Sequence, residues 1–225
     1  MGLAVLPLIL LVNILVFSRT LASGLRRAIR FYGWVLVCLV PFRAPVRVEY
    51  ESDNFLSPVI FVANHNSAID PFLFGAVVTE NAFVTSWPFK IPVYALFMRL
   101  AGYVNVEAGW DKVCRKCKSL LEAGSSVIIW PEGHRSRDGS LGRFKNGAFA
   151  LAVETGYPIV PVCILGSASV LPPGEIFLIS GKVKLIVLDP IEPGNVGQTP
   201  ESRIKKLRAR VYSVMEETLT ENGHF

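Results

Sequence analysis

The 225-residue chain holds only three histidines and four cysteines, and neither an internal repeat nor a low-complexity segment runs through it. His224 sits beside the last residue, where chains fray, so imidazole chemistry rests on His65 and His134. No G-x-S-x-G sequence occurs, which excludes the nucleophile elbow of a serine hydrolase. Cys114 and Cys117 form one CxxC, in VCRKCK, but no second CxxC follows to complete a zinc site. The stretch Asp111 to Ala123 alternates apolar and basic residues as an amphipathic helix does. The two thiols therefore read as neighbours on a helix, with no metal and no structural disulfide, in keeping with a reducing cytosol.

Long apolar runs are also missing. The two N-terminal apolar segments, Leu3 to Phe17 and Phe31 to Phe42, both fall short of the roughly 20 residues a helix needs to cross a bilayer. Between them lie Arg19, Arg26, Arg27 and Arg30, which the positive-inside rule assigns to the cytosolic side. If both segments crossed, this linker and the domain after Phe42 would face opposite sides of the membrane. An in-plane or re-entrant helical hairpin keeps both on one side, so the reading is monotopic attachment at the cytoplasmic face, with a single N-terminal anchor as the alternative. Residues 1–44 are expected to form this anchoring hairpin and residues 45–225 the working domain.

The composition agrees with a lipid surface. Hydrophobic residues make up 51% of the chain while 18% are charged, and the net charge is +5, which suits an anionic partner. The apolar excess favours lipid over nucleic acid, so no nucleic-acid partner is expected.

After Pro45 short apolar runs alternate with helical patterns. Strands are expected at Val46–Tyr50, Val59–Ala63, Ala82–Ser86, Tyr103–Val106, Ser126–Trp130, Ile159–Ile164, Ile176–Ile179 and Val183–Leu188. Helices are expected at Asp70–Val78, Ile91–Leu100, Asp111–Ala123, Gly147–Thr155 and Glu201–Leu219. The last puts Ile204, Leu207, Val211, Met215 and Leu219 on one stripe, which reads as a face packed on the core. The fold class is α/β: a single domain with a mixed sheet flanked by helices, preceded by a membrane-binding helical hairpin.

His65 directly follows the apolar run Val59–Ala63, so it should stand at a strand end, and Asp70 opens a helix with Pro71 beside it. A loop of this length lets the carboxylate fix one ring nitrogen and leaves the other as a base. Taken alone, the pair is equally consistent with an aspartate that merely caps the helix and a histidine satisfied locally. A second strand running into a polar turn, Ile129 to Ser136 (IWPEGHRS), brings Glu132, Gly133 and Arg135 to the same face, and Arg143 and Lys145 add cations beside a helix N-terminus, suited to a phosphate.

Together these pieces resemble the glycerophospholipid acyltransferase family, in which 1-acylglycerol-3-phosphate acyltransferase is the best-known activity. The family's block of His, four residues and Asp is met by His65 and Asp70, preceded by Asn64. Its Pro-Glu-Gly-Thr-Arg-Ser block is met by Pro131 to Ser136 with His134 in place of threonine. Phe144 to Gly147 match the downstream Phe-Lys-x-Gly, and Val160-Pro161-Val162 the last block. Lys90-Ile91-Pro92 lead into a block whose final arginine, implicated in holding the acceptor's phosphate, is here Ala108.

The resemblance implies acyl transfer from a thioester, acyl-CoA or acyl-carrier protein, to the hydroxyl of a lysolipid, 1-acylglycerol-3-phosphate foremost, in phospholipid biosynthesis. His65 would be the base and Asp70 its orienting partner; Glu132, Gly133, Arg135, Lys145 and Lys90 would bind the acceptor. No cofactor beyond the donor is implied. A metal hydrolase would have to recruit His65, Asp70, Glu132 and His134, but a catalytic zinc needs three well-placed ligands and His134 occupies a threonine position, so no metal is expected. Another lysolipid head group, or a non-catalytic lipid-binding protein, are the rival readings.

Overall fold

A computed structural model describes residues 20–39, 45–52, 57–77, 79–136, 139–172, 175, 177–194 and 199–223. The apolar segment Leu3 to Phe17, the end of the second segment beyond Leu39, and His224 lie outside the described residues.

The run Val59–Ala63 supplies the strand on which the sheet is built. Its side chains are fully buried on both faces, as an apolar run without polar alternation requires. Ile60 and Val62 enter one core, while Val59, Phe61 and Ala63 enter the other, the period-two alternation of an extended chain. Among the described residues seven strands form: β1 Val46–Tyr50, β2 Ile60–Ala63, β3 Asn81–Thr85, β4 Val104–Asn105, β5 Ser126–Ile129, β6 Ile159–Leu165 and β7 Val183–Val187. Their order across the sheet is β1-β7-β6-β2-β5-β3-β4. Among these strands the β6–β7 pair alone is antiparallel, so the sheet is mixed, and β2, β3, β4, β5 and β6 end along one edge.

The helices are α1 Leu21–Leu39, α2 Asp70–Leu73, α3 Pro92–Leu100, α4 Trp110–Glu122, α5 Gly147–Thr155, α6 Ser167–Val170 and α7 Pro200–Glu221. Buried residues of α4, α5 and α7 fill the first core, where Leu120, Phe149, Leu207, Val211 and Met215 meet Ile60 and Val127. The second core collects Leu73, Phe74, Val77 and Val170 against Phe61, Val160 and Leu185. Cys114 and Cys117 are free thiols on the buried side of α4. Burial pushes Cys117 up to about 12 and Cys114, which also faces Glu154, up to about 11, so neither presents a thiolate near neutrality.

The structure departs from the sequence reading in three places. No strand forms at 177–179; Phe177 and Ile179 are exposed, and the Ile179 N–H donates to the carbonyl of Val170 instead of to a ladder. The helix expected over Asp70–Val78 ends at Leu73, and the chain then turns through Gly75. Arg26, Arg27 and Arg30, expected in the linker between two apolar segments, lie within α1, which runs on into the second of them. Arg26 is buried and paired with Glu80 at 2.8 Å, and Arg27 reaches the same carboxylate at 3.3 Å.

That charge cluster fixes α1 to the domain. Ser23 and Ser125 hydroxyls also donate to Glu80, and Arg26 donates to the carbonyl of Ala101. Burial raises the Glu80 carboxyl, but the hydrogen bonds from Ser23, Arg26 and Ser125 and the Arg26 charge outweigh it and leave the group below its ordinary value. Near its middle, α1 lies against the turn after α2 with almost no space between the backbones. A Cβ on Gly75 would collide with the backbone nitrogen of Trp34 and meet the Arg30 carbonyl at 2.8 Å; one on Gly33 would come within 2.9 Å of the Phe72 carbonyl.

Candidate active site

β2 ends at Ala63, and the next residues are held by side chains that complete main-chain hydrogen bonding where the ladder stops. The Asn64 amide donates to the carbonyl of Ile164 at 2.8 Å and accepts its N–H at 2.7 Å, so one side chain pins the end of β2 to β6. The Ser67 hydroxyl donates to the carbonyl of Leu171 and is fully buried, which leaves it no role as a nucleophile.

Inside this loop, His65 Nδ1 lies 2.7 Å from Asp70 Oδ2. Asp70 is fully buried, and the same oxygen accepts the N–H groups of Asn66 and Ser67 at 2.8 Å each. No side chain caps α2, so Asp70 serves the histidine loop and not the helix end. An oxygen that accepts two backbone N–H bonds is the acceptor toward the ring as well. Nδ1 therefore carries the imidazole proton and Nε2 keeps its lone pair. The His65 side chain is 20% exposed, enough for Nε2 to reach a substrate while the other side of the ring is held.

Trp130 flanks the imidazole, with ring centroids 5.2 Å apart, and is itself packed by Phe74 and Phe83. The sequence reading places this tryptophan at the end of the expected strand Ser126–Trp130 and gives it no role at the site. Trp130 Nε1 and Asp70 Oδ1 are buried without a hydrogen-bond partner among the described residues.

The expected substrate contacts divide. Glu132 is 1% exposed, and its two oxygens accept the N–H groups of His65 and Gly142 at 2.9 Å each, so its carboxylate braces the histidine loop from within. Burial pushes this carboxyl above its ordinary value, and the two backbone donors recover part of that. Gly133 adopts φ +76°, and the Lys145 ammonium lies against it where any side chain would stand, with Cε 3.0 Å from that place. Arg135 is exposed and immediately precedes Ser136, whose N–H donates to the carbonyl of His65 at 2.7 Å. Gly133, Arg135 and Lys145 thus gather beside the histidine loop. The Lys90 ammonium is paired with Glu107 at 2.9 Å, in the region following β3 and β4. His134 is exposed, and among the described residues no group of three or more His, Cys, Asp or Glu side chains is placed to hold a metal ion.

Residues 46–165, which contain His65, Asp70, Trp130, Glu132, Gly133, Arg135 and Lys145, match the Acyltransferase family. The chain belongs to the Acyltransferase family. Among curated members of this acyltransferase group, it is 32% identical over 165 residues to a chloroplastic 1-acyl-sn-glycerol-3-phosphate acyltransferase of Brassica napus, covering 70% of this chain and 48% of that one. It is also 32% identical over 172 residues to the 1-acyl-sn-glycerol-3-phosphate acyltransferase of Escherichia coli, covering 72% and 67%. The chain spans about half the length of the first of these relatives. The acyltransferase fold is shared with the crystal structure of the 1-acyl-sn-glycerophosphate (LPA) acyltransferase PlsC from Thermotoga maritima, at a TM-score of 0.72 and 28% identity over 90% of this chain and 81% of that one.

Proposed function

We propose that this acyltransferase moves a fatty acyl group from an acyl thioester to the free hydroxyl of 1-acylglycerol-3-phosphate at a lipid surface. The observation that carries the reading is the His65–Asp70 pair at 2.7 Å, with its free nitrogen at the strand-end edge where Arg135 and Lys145 gather. Nε2 takes the proton of the acceptor hydroxyl as its oxygen attacks the thioester carbonyl. The tetrahedral intermediate collapses with loss of the thiolate, and the imidazolium returns the proton to the sulfur. Asp70 holds the ring and balances its transient positive charge. A thioester is already activated, so no covalent acyl-enzyme is required. Lys145 and Arg135 bind the acceptor phosphate by charge-assisted hydrogen bonds, and Glu132 acts by holding the histidine backbone.

Exposed apolar side chains support action at a membrane. Leu21, Phe31 and Trp34 of α1, Phe72 of α2, and Val93, Tyr94, Leu96 and Leu100 of α3 are all solvent-facing, and α1 packs against both α2 and α3. No helix of the described residues is long and apolar enough to cross a bilayer. The attachment we propose is in-plane at the cytoplasmic face, with residues 1–44 as the anchor and residues 45–225 as the catalytic domain.

The test is to offer purified protein a panel of lysolipids with acyl-CoA and with acyl-carrier protein, following thioester consumption. Transfer to lysophosphatidic acid, with Arg135→Ala raising the KM for that acceptor more than the KM for the donor, is the expected result. Absence of transfer to every lysolipid would leave a non-catalytic lipid-binding protein. Efficient use of a different lysolipid would follow from Ala108 standing where the family has its phosphate-holding arginine.

A further inference from the structure

The peptide unit joining Leu141 and Gly142 is held at both ends by side chains from two distant parts of the chain. Its N–H, from Gly142, donates to Glu132 Oε2 at 2.9 Å, and its carbonyl, from Leu141, accepts the Tyr212 hydroxyl at 3.2 Å. A peptide unit is planar, so the donor that fixes the direction of its carbonyl also fixes the direction of its N–H. Glu132 carries the constraint onward, because its other oxygen accepts the N–H of His65 at 2.9 Å. One line of hydrogen bonds therefore runs from Tyr212 through a peptide and a buried carboxylate to the backbone of the base.

The contacts around this line hold it in place. Gly142 lets the loop approach the carboxylate, since a Cβ there would stand 2.6 Å from Glu132 Oε2. The Tyr212 ring meets the buried ring of Phe144 edge-on, with centroids 5.1 Å apart, and Arg208, one turn earlier on α7, donates to Asn146 Oδ1 at 2.6 Å. Burial and the Glu216 carboxylate hold the Tyr212 phenol above its ordinary value, so the hydroxyl keeps the proton it donates. Hydrogen bonds in series polarise one another where water is excluded, so the aim of the far donor is felt at the Glu132 carboxylate. α7 lies beyond residues 46–165, the part of the chain that matches the family. We infer that Tyr212 is a positioning residue for acyl transfer: its hydroxyl orients the Leu141–Gly142 peptide, and through that peptide Glu132 and the His65 backbone are aimed at the substrate. This rests on the proposed role of His65 as the base.

The test uses the full chain in detergent micelles. Tyr212→Phe keeps the ring on Phe144 and removes only the hydroxyl, so its melting temperature should stay near that of the wild type. Its kcat should fall roughly threefold to tenfold, the contribution of one neutral hydrogen bond, while the KM values for donor and acceptor stay unchanged. In a Glu132→Gln background the line is already broken, and adding Tyr212→Phe should lower kcat no further. Val211→Ala is the control for a loosened α7: it leaves a void in the first core, so it should lower the melting temperature with kcat unchanged. Hydrogen exchange followed by NMR reads the line without turnover. The Gly142 and His65 amides should exchange faster in Tyr212→Phe than in the wild type, while the Val127 amide, bonded to Val59 within the sheet, should not change. The inference is overturned if Tyr212→Phe keeps the wild-type kcat, if its effect adds in full to that of Glu132→Gln, or if Val211→Ala lowers kcat as much. Should the wild type transfer no acyl group from any thioester, the acyl-transfer reading fails, and exchange still decides the line itself: unchanged rates at Gly142 and His65 overturn it, and faster rates at both support it.

Discussion

At the scale of single residues, the site depends on one carboxylate oxygen that accepts three N–H groups: the imidazole and the Asn66 and Ser67 amides. Two consequences differ in kind. His65→Ala removes the base from a partly exposed side chain and should lower acyl transfer by at least about a hundredfold while the melting temperature stays near that of the wild type. Asp70→Asn should lose activity less completely, since an amide oxygen still accepts these bonds but cannot balance an imidazolium. Wild-type rates in a folded His65→Ala protein would end the general-base account. Glu132→Gln probes the brace beneath. Its amide must turn an NH₂ toward either the His65 or the Gly142 N–H, leaving a buried donor unpaired at a cost of about 1–3 kcal/mol. Thermal melts and kcat should fall together, with KM for the donor unchanged.

At the scale of elements, α1 is joined to the catalytic loop through the turn it packs on. Gly75→Ala would set a methyl group against the Trp34 and Arg30 backbone, and a well-packed contact forced apart costs about 1–3 kcal/mol. Because that turn follows Asp70 within one helical turn, the variant should lose activity along with stability; unaltered kcat would show that the loop does not feel α1. The sheet itself was legible in the sequence. The continuous run Val59–Ala63 and the strong patterns at Val46–Tyr50 and Gly147–Thr155 gave elements at or within a residue of those observed. Of the stripe Ile204, Leu207, Val211, Met215 and Leu219, the middle three are buried and the two ends are partly buried against the same core. What could not be read is long-range. Arg26, Arg27 and Arg30 were read as part of a linker on the cytosolic side because the carboxylate that pairs with Arg26 lies 54 positions away. The shortened helix after Asp70 follows from a backbone at Gly75 that α1 approaches too closely for a longer helix to continue. Phe177 and Ile179 carried a strand-like composition, but no neighbouring strand receives them. At the site, the His65–Asp70 contact was one of two readings that the spacing allowed, favoured by the family resemblance, whereas Glu132 as an internal brace was not legible, because a motif glutamate reads the same whether it faces substrate or backbone.

Across the whole molecule, α1 and the rest of the domain share one core and one charge network. Leu25 of α1 is buried in the same cluster as Ile60 and Val104. Deleting residues 1–20 should therefore leave a folded domain, whereas deleting residues 1–43 should lower its melting temperature, because Glu80 is left half-buried without Arg26. Glu80 titrates below the ordinary glutamate value in the fold. Its stabilising contribution is thus complete above that ordinary value and is lost as pH falls through the depressed one. Acid titration followed by the fluorescence of Trp34 should show α1 loosening in that window, and Glu80→Gln should abolish the pH dependence while lowering stability at neutral pH. The Asn64 and Ser67 contacts have a further meaning in time. They join the histidine loop to Ile164 and Leu171, partners 100 and 104 residues later in the chain. A chain growing from its N-terminus makes His65 early but has nothing to close its loop upon until β6 and the turn after it have been synthesised. Loop closure over such separations is slow compared with helix formation, so catalytic competence arrives among the last steps of folding, after the apolar segments that would meet a membrane have already been made.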